Sequence, residues 1–128
     1  MNPKPRVIPH LPTSDVKRMV DFYTSLGFTL VGSIAVREGI PVFARLQLNG
    51  HQVRIEFWKL ADWEILRKGF SVTTLWIETD SVDSVAARLR ELRIPFHGPG
   101  REDYGSIELE LSDPEGFRIV FAEEAKAP

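Results

Sequence analysis

The sequence predicts an α+β protein made of paired βαβββ modules, with helices on one face of a curved mixed sheet and a cup on the other. Three observations predict it. Residues 14–32, SDVKRMVDFYTSLGFTLVG, are echoed by residues 79–98, TDSVDSVAARLRELRIPFHG, so that Asp15 matches Asp80, Leu26 matches Leu92, Phe28 matches Ile94 and Gly32 matches Gly98. Each copy is followed by a second echo, FARLQLNGHQVRIEFW in the first half and SIELELSDPEGFRIVFAE in the second. Within each echo, apolar residues recur at helical spacing first and at strand spacing afterwards. A unit repeated at about half the chain length implies two like modules sharing a core, with any site built between them. The expected boundaries are a single domain over 6–123, with module one at 6–60 and module two at 71–123.

Each element has a local reason. Val7–Leu11 reads as a short strand ended by Pro12. Ser14 or Asp15 suits a helix N-cap, and Val16, Met19, Val20, Tyr23 and Leu26 then form an apolar stripe closed by Gly27 at C′. Phe28–Val36 and Val42–Leu48 read as strands joined by a turn at Gly39-Ile40-Pro41, and Asn49-Gly50 is a hairpin signal before Gln52–Trp58. Leu60–Lys68, closed by Gly69, suits a short helix or a loop over the sheet. In the second half Ser71–Thr79 reads as a strand, and Val82, Val85, Ala86, Leu89 and Leu92 as a helical stripe. Pro95–Gly98 is then extended, Ser106–Leu111 and Phe117–Glu123 are strands, and Asp113-Pro114-Glu115-Gly116 is a turn.

Composition narrows the function. With 43% hydrophobic and 27% charged residues over 128 positions, the chain has the make-up of a globular domain. The absence of cysteine removes disulfides, thiolate nucleophiles and thiolate-bound zinc. A net charge of −2 gives no basic footprint for nucleic acid. No apolar run approaches the roughly 20 residues that span a bilayer, and no secretory signal opens the chain, so the expected compartment is the cytoplasm.

Strand alternation then sorts the side chains. Val7, Leu11, Val53, Ile55, Phe57, Leu75, Ile77, Ile107, Leu109, Leu111, Phe117, Ile119 and Phe121 should face the helices. The opposite parity gathers Ile8, His10, Arg45, Gln47, Arg54, Glu56 and Trp58 from the first half, and Thr74, Trp76, Glu78, Glu108, Glu110, Arg118 and Val120 from the second. That second face is too polar for a core and too rich in tryptophan for plain surface, which makes it the candidate binding cup.

The S-D-x6-FY-x2-LGF motif of the first half and DPEGFRIVF of the second resemble the vicinal oxygen chelate superfamily. That superfamily includes glyoxalase I, extradiol dioxygenases, fosfomycin-resistance enzymes and bleomycin-resistance proteins. The resemblance runs from Val7 to Glu123 and is specific for the fold rather than the activity. It implies metal-ligand positions on the first and last strand of each module, which fall here on Ile8, Glu56, Thr74 and Val120. Only Glu56 of these can hold a metal well, and one carboxylate does not fix a transition metal. The chain therefore looks like the non-metal members, above all the bleomycin-resistance proteins, similar in length and in the apolar-Pro first strand and SLGF. Members of that kind act by sequestration, as a homodimer that holds cationic glycopeptides in clefts between the module of one chain and that of its partner.

The resemblance thus implies metal-independent sequestration of a small molecule, a cationic glycopeptide antibiotic among the candidates, at a dimer cleft, with no cofactor. The ligand-binding residues named are Trp76, Trp58, Glu56, Glu108, His10, Arg54, Glu110 and Tyr104. Trp76 is the strongest, because an exposed indole on the cup face is wasteful unless something stacks on it; its bland alternative is burial at the dimer interface. The four glutamates 56, 78, 108 and 110 would make an acidic cup for a cation, although Arg45, Arg54 and Arg118 share that face. Glu56 alternatively pairs with one of those arginines. The other function class is a metal-dependent lyase, isomerase or oxygenase of the glyoxalase or dioxygenase type, with His10, Glu56 and Glu108 (or Glu110) as a displaced ligand set. His51 and His97 read as solvated loop residues, Trp63 as a loop anchor or rim, and Phe22, Tyr23 and Phe28 as core.

Overall fold

The computed structural model of the protein describes residues 6–59 and 74–124. The expected Leu60–Lys68 element, Trp63 and the start of the Ser71 strand therefore lie outside the described residues. The chain divides into two compact units, Met1–Phe70 and Ser71–Pro128.

The first unit runs β1 (His10–Thr13), α1 (Val16–Ser25), β2 (Thr29–Arg37), β3 (Ile40–Leu48) and β4 (His51–Phe57). Its sheet has the order β1-β4-β3-β2, with β1 parallel to β4 and the other pairs antiparallel. The second unit runs β5 (Thr74–Glu78), α2 (Val82–Glu91), β6 (His97–Arg101), β7 (Ile107–Ser112) and β8 (Arg118–Glu123). It repeats the arrangement as β5-β8-β7-β6, with β5 parallel to β8. Each unit is a βαβββ module with its own mixed sheet, so the α+β class and the repeat hold.

The helices are ten residues each, too short to persist alone in water, where about 12–15 residues are marginal. Packing holds them. α1 lies on β3 and β4 and buries Val16, Met19, Val20 and Tyr23; α2 lies on β6, β7 and β8 and buries Val82, Ala86 and Leu89. Opposite them, Leu11, Ala44, Leu46, Val53 and Ile55 fill one core and Leu109, Leu111, Ile119 and Phe121 the other.

The same caps start and stop both helices. Thr13 Oγ1 accepts from the backbone N–H of Asp15, whose carboxylate accepts from the N–H of Arg18. Thr79 Oγ1 likewise accepts from the N–H of Ser81, whose hydroxyl accepts from the N–H of Ser84. Each cap satisfies a first-turn amide that would otherwise be orphaned. The partner of Asp15 in the repeat is thus Ser81 and not Asp80, a spacing of 66 that Leu26/Leu92 and Phe28/Ile94 share. At the C-termini the N–H of Phe28 bonds the carbonyl of Tyr23, and the N–H of Ile94 that of Leu89. These are the six-to-one bonds of a Schellman motif.

One position in these matched caps is not equivalent. Gly27 takes the left-handed C′ conformation at φ +107°, whereas Arg93 holds the same place at φ +58°. A side chain there costs on the order of 1 kcal/mol, which glycine avoids. Arg93→Gly is expected to stabilise the protein by about 1 kcal/mol, less what glycine adds to the entropy of the unfolded chain. Urea midpoints of variant and parent would check it.

Three boundaries differ from the sequence expectation. β1 begins at His10 and passes through Pro12, while Val7 is 92% exposed and contributes nothing to the core. Proline is tolerated because β1 is an edge strand whose ladder uses the carbonyls of Pro9 and Thr13, so Pro12 points its missing donor outward. The first hairpin turns at Glu38-Gly39, one residue earlier than expected, with both residues at positive φ. Asn49-Gly50 makes the same two-residue turn, as its sequence announced. His51 and His97 open β4 and β6 rather than lying in loops, and both remain exposed.

Candidate functional site

In each module one sheet face is occupied by the helix and the other carries the polar residues singled out above. On the first module, ladder partners place side chains in rows across this free face. His10 lies level with Arg54, and Arg54 with Arg45. Pro12 lies level with Glu56, and Glu56 with Phe43; Gln52 faces Gln47. The row contents follow from strand alternation, since the intervening Val53 and Ile55 point into the core.

The interactions on this face differ from those the composition suggested. Glu56 accepts from His10, Nδ1 to Oε1 at 3.0 Å, and takes neither arginine. Arg54 lies instead over the ring of Phe43, its guanidinium carbon 4.0 Å from the centroid. A cation so placed gains roughly 0.5–1 kcal/mol where it is partly exposed. Among the described residues of this face, Arg54 Nε and Gln52 Oε1 are buried without a partner. Phe43 and Gln52 were not among the expected site residues. The signal for both was present, because each shares strand parity with a residue that was named.

The free face of the second module is more acidic. Thr74, Trp76 and Glu78 lie level with Arg118, Val120 and Ala122 on β8, and Val120 and Ala122 lie level with Glu110 and Glu108 on β7. Trp76 is 49% exposed, although it flanks Val120, which is buried. Glu110 and Arg118 form an ion pair at 3.0 Å, and a second bond joins Arg118 Nη2 to the other carboxylate oxygen. The Arg118 guanidinium holds the Glu110 carboxyl below the usual range, and Glu110 in turn raises Arg118. Both groups are well exposed, so solvent screens the pair and its worth is small. Glu108 accepts from Tyr104 Oη and from Ser106 Oγ, the latter at 2.5 Å. The hydrogen bond it donates to Glu108 raises the Tyr104 hydroxyl above its ordinary pKa. Asp113 organises the turn after β7, its Oδ1 accepting from the N–H groups of Glu115 and Phe117.

The four glutamates are therefore not four free charges. Glu56 belongs to His10 and Glu110 to Arg118, which leaves Glu78 and Glu108 as the acidic residues of the second face. Trp58 sits just beyond β4, half-buried, its N–H bonded to the Thr13 carbonyl. Tyr104 is 70% exposed in the middle of the β6–β7 connection.

A metal ion would need three or more convergent donors. Among the described residues no group of three His, Asp or Glu side chains is placed to hold one. His10 and Glu56 supply two donors on the first module, and Ile8, Thr74 and Val120 supply none that fits a transition metal. Counted from the matched helix caps, the counterpart of Glu56 is Ala122 rather than Val120, because both parallel ladders have the same register. Neither of those side chains ligates a metal. The donor set does not fit a family metal site. Among the described residues no helix is long and apolar enough to cross a membrane.

Comparison with known proteins agrees with this architecture. The family model of the Glyoxalase/Bleomycin resistance protein/Dioxygenase superfamily matches residues 7–121. No curated protein matches the chain. Among solved structures, a bleomycin-binding protein complexed with bleomycin is 19% identical, with a TM-score of 0.71 over 94% of this chain and 99% of that one. A bleomycin resistance determinant encoded on the transposon Tn5 is also 19% identical, with a TM-score of 0.72 over 94% and 98%. Lactoylglutathione lyase from Agrobacterium tumefaciens is 16% identical, with a TM-score of 0.70 over 95% of each chain. At such identities the likeness is one of fold.

Proposed function

The chain belongs to the glyoxalase/bleomycin resistance protein/dioxygenase superfamily, and from that premise we propose that it binds and sequesters a small molecule without a metal. The observation that carries the proposal is Trp76. Its indole stands half exposed on a strand face beside the buried Val120, where water gains nothing from it and a flat ligand would. Stacking of an aromatic group adds about 1 kcal/mol beyond the area covered. Glu78 and Glu108 extend the same face and favour a cationic group, while Tyr104 presents an exposed ring beside Glu108. The bleomycin-binding and resistance proteins of like fold support this class of ligand, and a cytoplasmic homodimer is part of the same proposal. The enzyme alternative finds support in the lyase of like fold, and is disfavoured by the donor set.

Titration of the EDTA-treated protein with metal-free bleomycin, followed by tryptophan fluorescence, tests the proposal. Saturable quenching at one drug per chain is expected. Sequestration is stoichiometric, so the affinity should be micromolar or better, about −8 kcal/mol. A flat titration would remove bleomycin as the ligand. A stoichiometric bound metal in the purified protein, lost on His10→Ala, would favour the enzyme.

A further inference from the structure

Arg45 and Arg54 stand directly opposite each other on β3 and β4, on the face of the first module that α1 leaves free. Directly opposed side chains have their Cβ atoms about 4.5–5.5 Å apart, and like charges so placed repel. Neither arginine forms an ion pair among the described residues. Glu56, the carboxylate on the same face, accepts from His10 Nδ1 through its Oε1. Arg54 sits over the ring of Phe43, its Nε is covered without an acceptor, and Gln52 Oε1 on the same strand face is covered without a donor. Two facing cations with an unmet donor between polar neighbours form an arrangement that lacks its counter-charge.

We propose that Arg45 and Arg54 form an oxyanion site, in which a carboxylate or phosphate group of a small molecule bridges the two guanidinium groups. The inference rests on the small-molecule reading above and adds the chemical class of one part of the ligand. Guanidinium suits an oxyanion because its planar fork of N–H donors matches two oxygens at once, and contact with Phe43 limits the freedom of Arg54 before the ligand arrives. An anion between the pair relieves the repulsion and supplies the missing acceptors. Gln47 and Gln52, facing each other in the next row, offer further amide donors beside it.

Isothermal titration of the full chain with sodium phosphate and with benzoate, in dilute buffer free of other oxyanions, tests this, with tetramethylammonium chloride as the cationic control. Saturable heat from at least one anion is expected, any heat from the cation should be the same in the arginine variants as in the parent, and whichever anion binds identifies the oxyanion type. Arg45→Gln and Arg54→Gln should each weaken that binding at least tenfold. Arg45→Gln should melt no lower than the parent, since it removes a like charge. Absence of heat from both anions, or unchanged binding in both variants, would overturn the oxyanion site. Bleomycin quenching that persisted alongside either result would leave the small-molecule reading standing.

Discussion

Gly98→Ala is expected to destabilise the protein by about 2–6 kcal/mol. Gly98 lies at φ +97°, a region that side chains rarely enter, and strain there costs about 1–3 kcal/mol. A Cβ at this position would also stand 2.7 Å from the backbone oxygen of Glu108, with Gly100 N and Leu109 Cα at 3.3 Å. All three neighbours are backbone, so no side chain can swing aside. Relief requires β6 to move off β7, and overpacking of this kind adds about 1–3 kcal/mol. The repeat supplies a control. Gly32, the matching residue of the first module, has φ +72° but nothing within 4 Å of its added Cβ. Gly32→Ala should therefore show the strain alone, about 1–2 kcal/mol. Urea unfolding of the two variants would compare them, and equal losses would refute the close approach at Gly98. Because β7 carries Glu108 and Glu110, the Gly98 variant should also lose ligand binding before it loses its helices.

Trp76→Ala carries the second large effect, this time on binding. If the indole is the stacking surface, its removal should cost about 2 kcal/mol or more, as for other tryptophan anchors, which is roughly thirtyfold in Kd. Trp76→Phe should recover part of the loss, since the smaller ring still presents a face. Stability should change little, because nearly half of the side chain is already in water. Binding measured by calorimetry on all three proteins separates the loss of affinity from the loss of the fluorescent reporter. Unchanged affinity in Trp76→Ala would remove this residue from the site.

Local patterns made the helices legible in the sequence. Their stripes, the Asp15 cap and Gly27 are signals confined to a dozen residues, and the core parity of β4, β7 and β8 follows from simple alternation. Two strand-level features were harder to read. Pro12 looked like a stop, yet an edge position turns its missing donor outward. Glu38 is a poor residue for positive φ, so residue preference alone starts the hairpin one residue later. The candidate site was legible in membership and not in pairing. His10, Arg54, Glu56, Glu108 and Glu110 were placed on their faces by parity alone. Which charge meets which depends on the register between strands distant in sequence. The RIEF/RIVF match suggested a spacing of 64, whereas the ladders and caps agree on 66. Glu56 was expected beside arginine because three arginines share its parity, and it is found on His10.

The common spacing of the caps and ladders separates what the two modules keep from what they change. Facing the helices, Leu11 pairs with Ile77, Thr13 with Thr79, Val53 with Ile119 and Ile55 with Phe121, all near-equivalents. On the free faces His10 corresponds to Trp76, Gln52 to Arg118, Arg54 to Val120 and Glu56 to Ala122, and nothing is retained. A self-associating single module would be bound to present every such residue twice, so a change useful at one copy would be imposed on the other. Two modules on one chain escape that constraint. One face can become basic and the other acidic and aromatic, each under its own selection, while the duplicated scaffold stays nearly unaltered.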